Sequence, residues 1–181
     1  MILANLQTLL INKHVILNKE DVVLDFGAGT GLVCSQVASK VAKVYAVDIS
    51  EAMLSKLSEK EELQDKVEVI CQDITSQGLD HTVDVIVSAM AMHHVADTKK
   101  LFEVFYQHLN EGGRLALADL DKEEGDFHPP HIEGVYHAGF EREALKQIVI
   151  EAGFKDVEFY TALTVNKEEK EYPIFLMSAA K

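Results

Sequence analysis

Three acidic residues and three alternating glycines carry the chemistry that can be read from this chain. Val22-Val23-Leu24-Asp25-Phe26 is an apolar, β-favouring run that leads directly into Gly27-Ala28-Gly29-Thr30-Gly31. Glycines at that spacing let the backbone turn sharply and let a ligand lie against bare main chain. Asp48 ends a second run, Lys43-Val44-Tyr45-Ala46-Val47, and follows Gly27 by roughly 20 residues, the spacing of a ribose-binding acid in a βαβ nucleotide site. An ionised carboxylate there accepts from both ribose hydroxyls, each charged hydrogen bond contributing roughly 1.5–3 kcal/mol. Asp73 closes a third run, Val67-Glu68-Val69-Ile70-Cys71-Gln72, and is placed to accept from an adenine amino group. Each feature alone has a plainer reading, since glycines close strand–helix junctions and acids cap turns. Together they describe a nucleoside-bearing cofactor laid across the ends of neighbouring strands.

Charge selects among such cofactors. The dinucleotide fingerprint wants a glycine where this chain has Leu32, and it seats a pyrophosphate on the helix that follows. Asp25, two residues before Gly27, opposes a pyrophosphate but favours a cofactor carrying an ammonium and a sulfonium. A phosphate-binding loop is excluded because no Gly-Lys-Ser/Thr follows the glycines.

Histidines form a second group with chemical potential. His93 and His94 follow the run Val83-Asp84-Val85-Ile86-Val87-Ser88, at the end where open α/β sheets bind their ligands. An imidazole there is suited to general-base work, and it is equally suited to packing on the next helix or bonding to backbone. A further cluster, Asp126-Phe127-His128-Pro129-Pro130-His131, is followed by Glu133 and His137. His128, His131 and His137 match no standard zinc spacing, so no metal is expected. This stretch reads as a loop that either lines an acceptor pocket or is simply solvated. Phe127, Tyr136 and Phe140 would then be pocket walls or core.

In order along the chain, Leu24-Asp25-Phe26-Gly27-Ala28-Gly29-Thr30-Gly31, Val47-Asp48, Gln72-Asp73-Ile74, Met92-His93-His94-Val95 and Gly112-Gly113-Arg114-Leu115 resemble the motifs of class I S-adenosylmethionine-dependent methyltransferases. The resemblance is strongest to the small-molecule branch called type 11 or 12, and it runs from about Asp21 to the C-terminus. It implies a single doubly wound, mostly parallel seven-stranded α/β sheet of order 3-2-1-4-5-7-6, the last strand antiparallel, with helices on both faces. It further implies that Asp25, Gly27 and Gly29 face the methionine moiety, within a loop that also contains Phe26, Ala28, Thr30 and Gly31. Asp48 would bind the ribose, Ile49 and Met53 flank the adenine, and Asp73 with the Ile74 amide read its edge. Ser88 and Ala89, at the end of the fourth strand, would border the same cofactor. Methyl transfer from a sulfonium is an in-line displacement, so positioning and desolvation do most of the work, and a base is needed only where the acceptor must lose a proton.

The elements that position these residues agree with that architecture. Strand-like runs at Val83–Ser88 and Arg114–Asp119 alternate with the helical spacing of Leu101, Val104, Phe105 and Leu109. Leu32 to Ala38 continues with helical spacing after the glycines. Asn110-Glu111-Gly112-Gly113 reads as the turn between helix and strand. Arg142 to Ala152 reads as a helix stopped by Gly153, followed by strands near 157–165 and 172–178 and a charged hairpin loop, Asn166-Lys167-Glu168-Glu169-Lys170.

The chain has 181 residues, of which 48% are hydrophobic, enough for one domain with a full core. We expect a single domain over 1–181, with residues 1–20 a helix and lead-in and 21–181 the core. Leu3, Leu6 and Leu10 suit one face of that helix, which packs on the domain or acts as a lid. Met1 to Leu10 is too short and too polar to span a bilayer or serve as a leader. Cys34 and Cys71 read as reduced core thiols of a cytoplasmic protein. Lysine and arginine total 17 against 30 acids, a net charge of −13, with no basic run to hold phosphates. Nucleic acid and anionic membrane are therefore not expected as partners; small molecules remain, as does a basic peptide, and a small-molecule acceptor is the reading taken. The reading is an S-adenosylmethionine-dependent methyltransferase, with an NAD(P)-dependent oxidoreductase or a non-catalytic cofactor-binding subunit as alternatives.

Overall fold

The apolar run before the glycines forms β1 (Val22–Phe26), an interior strand of a seven-stranded sheet. The structure is a computed structural model and describes residues 16–129, 131–167 and 169–181. The other strands are β2 (Lys43–Asp48), β3 (Val67–Cys71), β4 (Val83–Ala89), β5 (Leu109–Leu120), β6 (Lys155–Lys167) and β7 (Lys170–Ala180). Their order is β3-β2-β1-β4-β5-β7-β6, and β7 runs antiparallel to both its neighbours while the remaining pairs are parallel. This is the sheet that the motifs imply.

Among the described residues five α-helices flank it: α1 (Cys34–Val37), α2 (Glu51–Ser58), α3 (Ile74–Gln77), α4 (Thr98–His108) and α5 (Arg142–Glu151). Alternation along each strand sends successive side chains to opposite faces. Val23, Val44, Ala46, Val85 and Val87 pack with Cys34 and Val37 of α1 and Leu54 and Leu57 of α2. Leu24, Tyr45, Val47 and Ile86 pack on the other face with Leu101, Phe102 and Phe105 of α4 and Leu145 and Val149 of α5. A fully buried Leu or Phe contributes about 1.5–3 kcal/mol. That apolar face, rather than intrinsic propensity, holds α4, an 11-residue helix that would be marginal alone. Asp97 caps it by accepting from Lys100 N at 2.9 Å.

Several boundaries differ from the sequence reading. The helix after the glycines is only the four residues of α1, continued by a 3₁₀ turn over Ala38–Lys40. Its first amide, Cys34 N, donates to the Asp25 carboxyl rather than to a helical carbonyl. β3 ends at Cys71, two residues before Asp73, because the Asp73 side chain accepts from Thr75 N and starts α3 instead. Leu109 belongs to β5 and pairs with Val83, while the expected Asn110–Gly113 turn survives as a bulge before Arg114 pairs with Val85. The hairpin is tighter than expected, since Asn166 pairs with Glu171 and Lys167 with Lys170. Cys34 is buried as expected but Cys71 is exposed, so only the first is a core thiol. The helix expected around Leu3, Leu6 and Leu10 lies outside the described residues. No helix among the described residues is long and apolar enough to cross a membrane.

Candidate active site

The glycine loop leaves β1 with φ of +68° at Gly27 and +77° at Gly31. Both positions also need the missing side chain. A Cβ on Gly27 would lie 2.2 Å from Ala91 Cβ, and one on Gly31 would lie 2.7 Å from Leu57 Cγ. Gly27 N and Ala28 N both donate to Val47 O, at 2.9 and 3.0 Å, which straps the loop over the end of β2. Gly29 N donates to Asp48 Oδ2 at 2.8 Å, and Ser50 N donates to Asp48 Oδ1 at the same distance. The backbone thus orients the Asp48 carboxylate, and each oxygen keeps a lone pair for a further donor. Thr30 lies in the same loop and is half-buried.

Beside this carboxylate, Ile49 is 77% exposed and Met53 41% exposed. Two large apolar side chains standing in water next to an oriented acid form an exposed apolar wall. Asp73 Oδ1 accepts from Thr75 N at 2.9 Å and Thr75 Oγ1 at 2.7 Å, and these bonds hold its carboxyl below the usual range. Ile74 is the first residue of α3 and its side chain is buried in the core, which leaves only its backbone for a ligand. Phe26 likewise turns away from the loop, its ring meeting Phe105 edge-on at 5.2 Å.

Asp25 lies beneath the loop with none of its surface exposed. Its Oδ2 accepts from Cys34 N at 3.1 Å and Cys34 Sγ at 3.0 Å, while Oδ1 is buried with no partner. Burial pushes its pKa up to about 7 against the bonds from Cys34, and nearby Asp48 adds to the rise. Burial and the Asp25 charge push the Cys34 thiol up as well. The permanent charge expected of Asp25 is therefore a titratable one. A carboxyl raised in the folded state stabilises the fold most when neutral, below its unfolded value of 3.8, and that stability is lost as pH rises through about 7. The amount is on the order of 2–4 kcal/mol. Asp25→Asn, whose side chain stays neutral, is expected to melt above the parent by a margin that grows from pH 5 to pH 8, because the unfolded parent ionises above 3.8 and the folded one only near 7. Thermal denaturation at both values checks this, and a difference that does not change with pH would count against it.

At the end of β4, Ser88 Oγ donates to Phe26 O at 2.7 Å, so its hydroxyl ties β4 to β1 rather than pointing at a ligand. Ala89 is half-buried. Met90 takes a φ of +59°, rare for a side chain with a Cβ, and its N donates to Ala118 O at 2.8 Å. That turn sets Ala91 against Gly27 and sends His93 inward.

His93 is 1% exposed and does not border solvent. Its Nδ1 lies 2.6 Å from Asp119 Oδ1, and its backbone N donates to Asp119 Oδ2 at 3.2 Å. Because the carboxylate accepts, Nδ1 carries the proton and Nε2 presents a lone pair. That lone pair faces His128 Nε2 at 3.1 Å. His94 is exposed, and its Nδ1 donates to Gly134 O at 2.8 Å. His128 thus groups with His93 and His94 rather than with its chain neighbours His131 and His137. His131 is exposed, and His137 Nε2 donates to Val95 O at 2.9 Å. Burial lowers the His128 pKa, and the neighbouring His93 and His94 lower it further.

The loop that delivers His128 is built, not slack. Glu123 Oε2 accepts from the amides of Gly125, Asp126 and Phe127 at 2.9, 2.9 and 3.0 Å. Tyr136 N and His137 N both donate to His93 O, at 3.0 and 3.2 Å. Phe127 packs edge-on against Tyr172 at 5.2 Å. Tyr136 is 62% exposed, whereas Phe140 joins the core. Sequence reasoning missed Asp119 and Glu123. Asp119 had one available signal, its place at the carboxyl end of the strand beside β4. A separate cavity of about 800 Å³, bordered by Arg114, Lys146, Phe154 and Asp156, opens at the other end of β5 and is remote from these residues.

Residues 24–117 match the family profile described as a methyltransferase domain, type 11, and so span β1 through most of β5. The chain belongs to the type 11 branch of the class I S-adenosylmethionine-dependent methyltransferases. An uncharacterized methyltransferase of Bacillus thuringiensis (strain Al Hakam) is 30% identical over 124 residues, 67% of this chain and 58% of that protein. The chain thus matches little more than half the length of that relative. Among solved structures, phosphoethanolamine N-methyltransferase 2 of Haemonchus contortus in complex with S-adenosyl-L-methionine superposes with a TM-score of 0.81 at 18% identity, covering 98% of this chain and 52% of that one. An S-adenosylmethionine-dependent methyltransferase of Clostridium acetobutylicum ATCC 824 superposes with a TM-score of 0.72 at 18% identity, covering 96% and 90%. These likenesses place the methyltransferase fold.

Proposed function

We propose that this methyltransferase-family chain transfers a methyl group from S-adenosylmethionine to a small-molecule acceptor, at the carboxyl ends of β1, β2, β4 and β5. The observation that carries the reading is the Gly29 N to Asp48 Oδ2 bond of 2.8 Å, which aims the acid between the glycine loop and the exposed Ile49 and Met53. A ribose on Asp48 would bring an adenine against those two side chains and give them the apolar partner they lack. The adenine amino group would be received at Asp73 Oδ2, since Oδ1 is taken by Thr75, and a ring nitrogen by the Ile74 amide. The orphaned Asp25 Oδ1 fits a cationic cofactor, whose ammonium and sulfonium would favour the ionised carboxyl.

When bound, the sulfonium supplies an activated methyl group. The chain's own part is to hold the acceptor in line and exclude water. The net charge of −13 disfavours polyanionic acceptors, which supports a small molecule and is equally compatible with a basic peptide.

A thermal-shift comparison tests the cofactor. S-adenosylmethionine and S-adenosylhomocysteine at about 100 times Kd should each stabilise the fold by about 2.7 kcal/mol, a rise of several degrees in Tm. NAD and NADP at the same concentration should leave Tm in place. A shift with a nicotinamide cofactor and none with either adenosyl compound would replace this reading with an oxidoreductase. Labelled methyl transfer into small-molecule extracts separates an enzyme from a non-catalytic subunit.

A further inference from the structure

The histidines His93, His94 and His128 come from a turn and a loop far apart in sequence, yet one nitrogen of each lies within 4.8 Å of the others. Hydrogen bonds assign two of the three protons. His93 Nδ1–H goes to Asp119 and His94 Nδ1–H goes to Gly134 O, so both Nε2 atoms are bare lone pairs. His128 Nε2 is directed at one of them from 3.1 Å. The third proton has two places: on His128 Nε2 it makes an N–H···N bond to His93, and on His128 Nδ1 it leaves three lone pairs turned to one point, the arrangement a metal ion binds.

We propose that His93, His94 and His128 form a three-histidine site for one divalent transition-metal ion of the Zn²⁺ or Co²⁺ class. The dimensions fit. Zn–N bonds of about 2.0–2.1 Å at tetrahedral angles put ligand nitrogens about 3.3 Å apart, close to the 3.1 Å between His93 and His128. Ring centroids stand 4.2, 5.0 and 5.7 Å apart for the pairs His93–His94, His93–His128 and His94–His128. Rings bound to one tetrahedral ion stand about 5 Å apart by the same geometry. His94 is exposed and has the freedom to close the remaining gap.

Asp119 supplies the second feature of a metal site. Metal-bound histidines commonly donate their other N–H to a carboxylate, which fixes the tautomer and raises the basicity of the ligating nitrogen. The Asp119 to His93 bond of 2.6 Å, with both side chains buried to 1% exposure or less, is that arrangement. Imidazole ligands suit Zn²⁺, Co²⁺ and Ni²⁺ over Mg²⁺ or Ca²⁺, which prefer oxygen. Three neutral ligands leave a fourth position open, as in catalytic rather than structural zinc sites. The open position would hold a thiol or hydroxyl of the methyl acceptor. That last assignment rests on the methyltransferase reading, whereas the metal site stands on the histidines alone.

The test uses the untagged full chain, stripped with a chelator and titrated with Zn²⁺ against a chromophoric competitor, then with Co²⁺ read by visible absorption. One ion per chain and a tetrahedral Co²⁺ spectrum are expected. His94→Ala and His128→Ala should each weaken Zn²⁺ binding by at least about 10²-fold, beyond the 10–100-fold effect of losing an outer partner. Neither residue is in the core, and S-adenosylhomocysteine binding checks that each variant is folded. His131→Ala, on the same loop but outside the cluster, should bind as the parent does. Zn²⁺ binding no tighter in the parent than in the two variants, or equally weakened in His131→Ala, overturns the site and leaves the proton on His128 Nε2. S-adenosylhomocysteine binding by the stripped chain separates the two claims. If it binds without Zn²⁺ uptake, the metal site alone fails; if Zn²⁺ binds and no adenosyl compound does, the cofactor reading alone fails.

Discussion

Alanine in place of Asp48 is expected to weaken S-adenosylmethionine binding on the order of 10²-fold or more while the fold persists. Two losses combine. The proposed ribose hydroxyls lose their charged acceptor, and Gly29 N and Ser50 N lose the oxygens that hold them at 2.8 Å. The glycine loop is then tethered to β2 only through Val47 O. Asp48→Asn keeps one carbonyl acceptor and should fall between the parent and Asp48→Ala. Calorimetric titration with S-adenosylhomocysteine measures both variants, and a parent-like affinity for Asp48→Ala would remove Asp48 from the cofactor site.

The second large effect is steric and comes with an internal control. Gly27→Ala places a methyl group 2.2 Å from Ala91 Cβ at a φ of +68°, so it meets both a clash and an unfavourable backbone angle. The left-handed angle alone costs about 1–2 kcal/mol for a residue with a Cβ, and overpacking typically adds about 1–3 kcal/mol. Total destabilisation of roughly 2–5 kcal/mol is expected, with loss of cofactor binding as the loop moves. Ala91→Gly in the same chain removes the opposing methyl. The double variant should regain the steric part and keep the backbone part. Chemical denaturation of the parent, both single variants and the pair measures this coupling. Simple additivity of the two single effects would mean that the loop does not bear on the turn after β4.

Ala91 shows where sequence reasoning stopped. The glycines announce a tight turn by composition alone, because few other residues tolerate φ near +70°. What they turn against depends on Met90 adopting a left-handed angle at the end of β4, which no local preference of methionine predicts. The histidines followed the same rule. Their place at the ligand-facing end of the sheet was legible from strand order, since parallel βα units put every such turn at one end. Their grouping was not. Of the two courses open to His93, facing an acceptor or packing inside, it takes the second, buried against Asp119 of the neighbouring strand. His128 was grouped by chain proximity with His131 and His137. Glu123 instead folds the loop back by gathering three amides, and the 136–137 backbone pins it to His93 O.

The order of the sheet came from the resemblance of the motifs to a known family, whereas the sequence by itself determined the strand runs and the three acids at the ends of the first three. Those features rest on alternating apolar residues, glycine spacing and strand-end carboxylates, all of which are local and periodic. Tertiary structure alone decided the protonation of Asp25, because a carboxyl's pKa depends on how completely its surroundings exclude water. It also decided which histidine faces which, because side chains 35 residues apart meet only when two loops are packed against each other. Local pattern has no information about such a contact until the core between the loops is built.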